Sequence, residues 1–392
     1  MSYTALRYNL SLIRVVRQKV APATSRWRAL LSLRYERAEE PRWIRNNPQS
    51  VEIEPLLSGI CGSDLALILG NSSPYLASLT RFPAVPGHEV VARVVKEAPG
   101  WPQGTRVVVN PSLSCASLAI KDACAACASG HPELCYNRGR HDLGLLMGFH
   151  TDFPGGFGER MWVPSHQLYA IPSNMAIQRA VLSEPLSIVL HGLSHVHWAP
   201  VRHILVIGSG PIGLLALLAI PTRLVSPELV MAVARYPQQQ YWAKRLGAEV
   251  VSHLGDPAIT EITGTPYPSI LNASPWRPRG FDLVIDAAGS PSSLKSALAC
   301  VHPGGQVLLL GAAGEMKWDF APVWSRDISL YGTYGYGASD QTFRESLRLL
   351  ADSSIPIEEL ITHTFALKDY KEAFHALWDK NSGAVKVCLK PH

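Results

Sequence analysis

The chain has 392 residues, of which 47% are hydrophobic and 17% are charged, and its formal net charge is +5. This length suits two domains with a large core. The sequence has no run of about 18 uncharged apolar residues, so a membrane span is not expected. No secretion signal is recognisable at the N-terminus, so we expect a cytoplasmic protein without disulfides. The sequence has no repeat of basic and aromatic residues that would predict binding to nucleic acid.

The first 45 residues are basic, with ten Lys or Arg against three Glu. We interpret them as a pair of basic surface strands joined by a loop, because the charges are interspersed. A transit or membrane-surface segment is the alternative. It is supported by the absence of an acid before Glu36 and by an amphipathic stretch at 27–33.

Two short glycine-containing segments follow, Gly59–Asp64 (Gly-Ile-Cys-Gly-Ser-Asp) and Pro86–Glu89 (Pro-Gly-His-Glu). They place three potential metal ligands, Cys61, His88 and Glu89, in turns. A single Cys or His is more often structural. Three ligands with one exchangeable position are typical of a catalytic zinc site.

Four cysteines then cluster within 21 residues: Cys115, Cys124, Cys127 and Cys135. In a chain without expected disulfides, such a cluster indicates metal binding or redox chemistry. Four thiolates leave a zinc ion no open coordination position, so a metal here would stabilise a lobe and do no chemistry. A Cys-x-x-Cys redox pair is the weaker interpretation, because no thioredoxin-like pattern surrounds it.

From about residue 200 the pattern alternates strand, turn and helix. A buried strand at 203–208 leads into a glycine-rich turn and an apolar helix at 214–219. Glycines let the backbone approach a pyrophosphate, and a helix N-terminus offers it free N–H groups. The residues of this dinucleotide fingerprint are Gly208, Gly210, Pro211, Ile212 and Gly213.

Further strands at 229–233, 282–286 and 306–310 predict an α/β fold with a doubly wound parallel sheet. Its ligand should lie at the carboxyl ends of the strands, where Ala287 and Gly311 occur.

The end of the second strand of this region predicts the choice of cofactor. An acidic residue there would bind the ribose hydroxyls of NAD, but the sequence has Arg235 and Tyr236 and no carboxylate. A guanidinium can pair with a 2′-phosphate, so we expect NADP(H) in preference to NAD(H). The alternative is that Arg235 only stacks on adenine while either cofactor binds.

These segments occur in one order together with Gly155–Glu159 (Gly-Gly-Phe-Gly-Glu) and Ser183–Pro185 (Ser-Glu-Pro). The order resembles the zinc-containing medium-chain dehydrogenase/reductase family, on the branch that includes sorbitol and threonine dehydrogenases. The resemblance covers roughly residues 45–390 and rests on six separate signatures.

The resemblance implies a GroES-like, mostly β catalytic domain that begins in residues 1–186. A Rossmann domain is inserted at 187–336, and residues 337–392 return to the catalytic domain. The active site is expected in the cleft between the domains. A homodimer or homotetramer is expected, because the Rossmann sheet edge commonly pairs subunits in this family.

The resemblance also implies the shell of the catalytic zinc. Cys61 and His88 match its ligands, and Glu89 matches an acid that ligates the metal or lies close to it. Glu184 matches a residue that binds the zinc directly or through water. In the structural lobe, the family usually has a cysteine at the position of Lys121. Cys115 would replace it if residues 116–123 loop out.

Other matched positions concern the proton and the cofactor. Ser63 would relay the substrate proton, Asp64 would orient His88, and Lys386 would lie over the pyrophosphate. Family members often have a histidine where this chain has Ala66, so the outer end of the proton relay differs.

The sequence therefore predicts an oxidoreductase with one catalytic and one structural zinc. It would transfer a hydride between NADP(H) and a small-molecule secondary alcohol or polyol, or the matching ketone. The alternatives are a reductase of a C=N or activated C=C bond, and a non-catalytic nucleotide-binding relative.

Two further motifs each have a functional and a structural interpretation. His191 and His195 share a helix face but lack the intervening glutamate of a metal motif, so we expect them to be structural. The segment Tyr331–Tyr336 could line the substrate site, or it could form the last strand and a subunit contact.

Overall fold

The computed structural model describes residues 2–9, 29–41, 47, 49–139, 144–222, 226–267, 276–312, 314–337, 339–352, 354–379 and 381–392. The chain divides into two compact units. The first consists of Met1–Ser187 and Tyr336–His392, and the second of Ile188–Gly335. The predicted fold class is confirmed, because one unit is mostly β and the other is an α/β unit with a parallel sheet.

The strands are β1 (Ser2–Tyr8), β2 (Leu33–Glu39), β3 (Ser50–Gly59), β4 (Glu89–Val94), β5 (Arg106–Val109), β6 (Met161–Pro164), β7 (Leu168–Ala170), β8 (His203–Ile207), β9 (Leu229–Val233), β10 (Glu249–Val251), β11 (Phe281–Asp286), β12 (Val301–Leu309), β13 (Ser329–Gly332), β14 (Ile361–Ala366) and β15 (Lys386–Lys390).

The α-helices are α1 (Gly62–Ile68), α2 (Ala125–Ala128), α3 (Ile177–Ala180), α4 (Ser183–Ser194), α5 (Pro211–Ala219), α6 (Pro237–Arg245), α7 (Pro257–Thr263), α8 (Pro291–Cys300), α9 (Ala321–Trp324), α10 (Ser339–Ala351) and α11 (Tyr370–Trp378).

The basic N-terminal segment contains the strand pair that the sequence favours. β1 and β2 are antiparallel over their full length, from the pair Ser2–Glu39 to the pair Tyr8–Leu33. Several side chains of β1, such as Leu6 and Tyr8, are buried in the core of the first unit. Most of the connection, and part of the amphipathic stretch at 27–33, lie outside the described residues.

A seven-stranded sheet forms the centre of the first unit, in the order β14-β15-β3-β4-β5-β7, with β6 also paired to β3. Strand β3 buries Val51, Ile53 and Leu57 on alternate positions, which is the period of a strand with one face in the core. The C-terminal strand β15 pairs antiparallel with the end of β3. This pairing brings the C-terminal strand next to the segment that contains Cys61.

The second unit contains a six-stranded sheet in the order β10-β9-β8-β11-β12-β13. Numbered from β8, this is the strand order 3-2-1-4-5-6 of dinucleotide-binding folds. Strands β9 and β11 pair in parallel with the two sides of β8, so the strand order reverses at β8. The carboxyl ends at this reversal are where such folds bind ligands.

Among the described residues, no helix has both the length and the apolar character that crossing a bilayer requires.

Candidate active site

Cys61 and Asp64 are fixed together at the start of α1. Cys61 is the N-cap residue, with an extended backbone (φ −90°, ψ 158°), and Asp64 is the third helical residue. The Asp64 carboxylate accepts the Cys61 N–H at 3.0 Å, as an acid at this helix position commonly does. Asp64 is completely buried, so this hydrogen bond keeps the turn and the thiol in one arrangement.

His88 lies immediately before β4 and is held from two sides. Its Nδ1 lies 3.4 Å from Asp64 Oδ1, and its Nε2 lies 3.3 Å from the Ser63 hydroxyl oxygen. The preceding Gly87 has a φ of +93°, and a Cβ there would come within 2.5 Å of the Phe157 ring. With Nδ1 directed to a carboxylate, Nε2 remains the metal-binding nitrogen, which is the usual arrangement of a ligating histidine.

Cys61, His88 and Glu89 form one group whose ligand atoms all lie within 4.8 Å of one another. Zinc binds sulfur at about 2.3 Å and nitrogen or oxygen at about 2.0–2.2 Å, so ligands around one ion must lie about this close together. Burial lowers the pKa of His88, but the negative charges of Asp64 and Cys61 outweigh it and raise that pKa well above its ordinary value. A partly exposed thiol beside a buried imidazole and a buried carboxylate fits a zinc ion.

Glu89 also forms a buried ion pair with Lys386. The Lys386 ammonium donates a second hydrogen bond to the Ile60 carbonyl oxygen at 3.1 Å. Burial lowers the pKa of Lys386, but the charge of Glu89 outweighs it and raises that pKa above its ordinary value. Gly59 leaves the space for this pair, since a Cβ there would lie 2.0 Å from Glu89 Oε2. The predicted contact of Lys386 with a pyrophosphate stays a prediction.

Glu184 lies at the start of α4 and is buried, but it does not belong to the three-ligand group. Its Oε1 accepts a hydrogen bond from the Tyr336 hydroxyl. Burial raises the pKa of Glu184 to about 7, with the charge of His88 opposing the rise and that of Glu89 adding to it. Its carboxylate is therefore within electrostatic range of the group. The sequence offered no local sign of the Tyr336 contact.

The four clustered cysteines also meet. Their sulfur atoms all lie within 4.8 Å of one another. Cys115 Sγ is 3.7 Å from Cys135 Sγ, and Cys124 Sγ is 3.9 Å from the same atom. Four sulfurs placed tetrahedrally at the zinc–thiolate bond length would be about 3.8 Å apart. The geometry fits a closed four-thiolate zinc site.

Cys115 reaches this cluster through a short 3₁₀ helix at Cys115–Leu118. Ala119 then adopts a left-handed backbone with a φ of 51° and turns the chain back. Lys121, at the position where the family usually has its first lobe cysteine, is exposed. The Cys115 sulfur accepts hydrogen bonds from the Cys124 N–H at 3.4 Å and from Asn137 Nδ2 at 3.1 Å, which are contacts that stabilise a thiolate.

The fingerprint glycines of the second unit lie between β8 and α5. Gly208 has a φ of +96°, and a Cβ on Gly213 would lie 2.0 Å from the Gly208 carbonyl oxygen. Gly210 caps α5, whose first two residues are Pro211 and Ile212. A Cβ on Gly210 would meet nothing within 4 Å. The turn is thus tight at two glycines and open at the third, as a cradle for a pyrophosphate requires.

Asp286, which the sequence placed only in a strand, organises the neighbouring loops. Its carboxylate accepts the N–H groups of Ala288 and Gly289, both at 3.1 Å, and the Ser293 hydroxyl at 3.1 Å. Its carbonyl oxygen accepts the Gly311 N–H at 2.8 Å. Burial raises the pKa of Asp286, against the effect of these hydrogen bonds.

Three other predicted positions occur at the carboxyl ends of the same strands. Ala287 donates its N–H to the Ile207 carbonyl oxygen at 2.9 Å. Arg235 is exposed just after β9, and Tyr236 is the N-cap residue of α6. The end of β9 is tied to the fingerprint turn, because the Ser209 hydroxyl donates to the Val233 carbonyl oxygen at 3.0 Å.

The two histidines at 191 and 195 contact each other, with their Nε2 atoms 3.4 Å apart. Neither belongs to a metal-binding group of three or more side chains among the described residues.

Two family models match the chain. The "Alcohol dehydrogenase GroES-like domain" matches residues 47–173, and "Zinc-binding dehydrogenase" matches residues 211–352. An L-idonate 5-dehydrogenase of Vitis vinifera is 27% identical over 354 residues, which are 87% of each chain. A sorbitol dehydrogenase of Bacillus subtilis is 26% identical over 353 residues, which are 88% of this chain and 91% of the relative.

Solved structures show the same fold. An alcohol dehydrogenase of Thermus sp. ATN1 superposes with a TM-score of 0.72 at 23% identity, over 99% of both chains. A 2R,3R-butanediol dehydrogenase of Bacillus subtilis gives a TM-score of 0.73 at 23% identity, over 100% of both chains. The chain therefore belongs to the zinc-containing medium-chain dehydrogenase/reductase family and is an NAD(P)-dependent, zinc-dependent alcohol oxidoreductase.

Proposed function

We propose that this protein transfers a hydride between NADP(H) and a secondary alcohol or polyol, or reduces the matching ketone. The observation that carries the chemistry is the convergence of Cys61, His88 and Glu89, with the Ser63 hydroxyl 3.3 Å from His88 Nε2. The polyol class is supported by relatives named L-idonate 5-dehydrogenase and sorbitol dehydrogenase.

When bound by Cys61, His88 and Glu89, zinc would supply Lewis-acid polarisation of the substrate oxygen. The Ser63 hydroxyl would relay the proton that the alcohol loses, accepting it while it passes its own proton on to water, because it lies beside the His88 nitrogen that would bind the metal. Asp64 keeps the thiol and the imidazole in place through the Cys61 N–H and His88 Nδ1. Burial of His88, Glu89 and Asp64 strengthens these electrostatic interactions.

Arg235 supports the preference for NADP(H). It follows β9, the strand whose carboxyl end meets the adenosine ribose in folds of this kind. Arg235 is exposed, so water would weaken an ion pair between its guanidinium and a 2′-phosphate. We therefore take the low end of the range for charged hydrogen bonds, about 1.5 kcal/mol, or roughly ten-fold in cofactor affinity.

The test is a panel of alcohols and carbonyls assayed with each of the four cofactor forms. We expect zinc-dependent turnover of a polyol or secondary alcohol, and a preference for NADP(H) that falls about ten-fold in Arg235→Ala. Arg245→Ala is the matched control. It removes the same charge from the far end of α6, where Arg245 packs against Trp242, and should leave the preference unchanged.

Three results would contradict the proposal. Preference for NADH in the unmodified protein would exclude the role of Arg235. Full turnover after removal of zinc would favour the C=N or C=C reductase. No substrate-dependent change in NADPH absorbance with zinc bound would favour a non-catalytic relative.

A further inference from the structure

Tyr336 is a buried tyrosine whose hydroxyl donates a hydrogen bond to a carboxylate of the catalytic region. Only 3% of the surface of Tyr336 is exposed. Its hydroxyl donates to Oε1 of Glu184, which lies 152 positions earlier in the chain. The segment from Tyr331 to Tyr336 stood out in the sequence as a candidate substrate-lining patch. The structure gives its last tyrosine a partner that belongs to the protein itself.

The Tyr336 ring is held in place by contacts other than its hydrogen bond to the carboxylate. It packs edge-on against Phe343, with ring centroids 5.1 Å apart, and Phe343 in turn stacks on Tyr169 at 4.9 Å. Phe343 is completely buried. The Tyr336 carbonyl oxygen also accepts the Thr342 hydroxyl at 2.5 Å. A donor held this firmly can set the orientation of the group that it binds.

Glu184 has the chemistry of a residue that needs such a donor. It is buried at the first turn of α4, it lies outside the group of Cys61, His88 and Glu89, and it senses the charges of His88 and Glu89. An ionised carboxylate at this depth is costly unless it is hydrogen-bonded. The Tyr336 hydroxyl donates such a hydrogen bond to one of its oxygens.

We infer that Tyr336 is a positioning residue that holds Glu184 as an outer carboxylate beside the catalytic metal group. Glu184 then provides a buried carboxyl group in electrostatic range of His88 and Glu89 without being one of the three converging ligands. The inference rests on the proposed zinc chemistry of the same site. Outer partners of this kind commonly change metal affinity by about 10- to 100-fold.

The experiment measures zinc affinity by chelator competition, and the visible spectrum of the cobalt(II)-substituted protein, so that neither readout depends on turnover. We expect Tyr336→Phe to weaken binding at the Cys61 site about ten-fold and to shift the cobalt bands. Zinc in the four-cysteine lobe should stay bound. Tyr370→Phe is the matched control, because the Tyr370 hydroxyl is buried in the same unit but donates to the Leu33 carbonyl oxygen.

A double-mutant cycle separates a specific role from general loosening. If Tyr336 acts through Glu184, Tyr336→Phe should weaken zinc binding in the unmodified protein and have no further effect in Glu184→Gln. Equal weakening in both backgrounds would overturn the inference, and so would unchanged affinity and cobalt spectrum in Tyr336→Phe. Cys61→Ser tests the underlying site. If it still binds two zinc ions, the proposed catalytic site fails, whereas loss of one zinc in Cys61→Ser without an effect of Tyr336→Phe refutes only the inference.

Discussion

Replacing Cys115 with serine tests whether the four-cysteine lobe is a zinc site in which Cys115 is the fourth ligand. Structural zinc contributes roughly 10–16 kcal/mol in four-ligand zinc fingers, so one ligand accounts for about 2.5–4 kcal/mol. That corresponds to about a 100- to 1,000-fold loss of zinc affinity. The loss should be near the upper end, because Cys115 is buried and its sulfur also accepts the hydrogen bonds from Cys124 and Asn137.

The assay is metal content after gel filtration in a weak chelator, combined with thermal unfolding. The unmodified protein should retain two zinc ions per chain, and Cys115→Ser should retain one and unfold at a lower temperature. Cys300→Ser is the matched control, since it removes a buried cysteine of the second unit and should keep both ions. Two tightly held zinc ions in Cys115→Ser would refute the assignment of Cys115 as the fourth ligand.

Three further changes test other parts of the structure. In Gly213→Ala, the new Cβ would lie 2.0 Å from the Gly208 carbonyl oxygen. We therefore expect denaturant unfolding to show a loss of about 1–3 kcal/mol in stability, and initial rates to show a raised KM for the cofactor. An unchanged KM would contradict the predicted pyrophosphate cradle. Arg179→Met should cost about 1.5–3 kcal/mol in unfolding free energy, because the buried guanidinium donates to three carbonyl oxygens near the end of α10 and pairs with Glu358, whose side chain is 36% exposed. A loss below about 1 kcal/mol would show that these contacts contribute little. Ala66→His places an imidazole one helical turn beyond Ser63 and should add a limb near pH 6.5 to the pH profile of alcohol oxidation. The control Ala66→Gln should not add this limb. Identical pH profiles for the two variants would exclude a proton relay through this position.

The second unit could be predicted from the sequence because its signals are local. Parallel strands buried on both faces are continuous apolar runs, and 203–208 leads directly into the glycine turn of the dinucleotide fingerprint. The strand order then follows from the fingerprint and the alternation of elements. The role of Asp286 could not be predicted in the same way. Its partners are backbone N–H groups of a loop, and sequence carries no record of which carboxylate will face them.

The candidate metal ligands could be named from the sequence, but their arrangement could not. Cys61 and His88 occur in short motifs that can be recognised in the sequence. The contacts made by the residues around them, however, join segments that are far apart in the chain. Glu184 meets Tyr336 across 152 positions, and Glu89 meets Lys386 because β15 pairs beside β3. The first pair joins a helix to a distant turn, and the second depends on the register of strands; no local pattern encodes either.

Gly59 shows how a motif can be recognised while its physical reason is missed. In the sequence it begins Gly-Ile-Cys-Gly-Ser-Asp and suggests a turn, but in the structure it ends β3, where it pairs with Glu89 in the sheet register. A Cβ there would lie 2.0 Å from Glu89 Oε2 and 2.9 Å from Lys386 Cε. The glycine is required because a buried ion pair occupies the space of its side chain. The beginning of the motif therefore encodes a constraint set by the last strand of the chain.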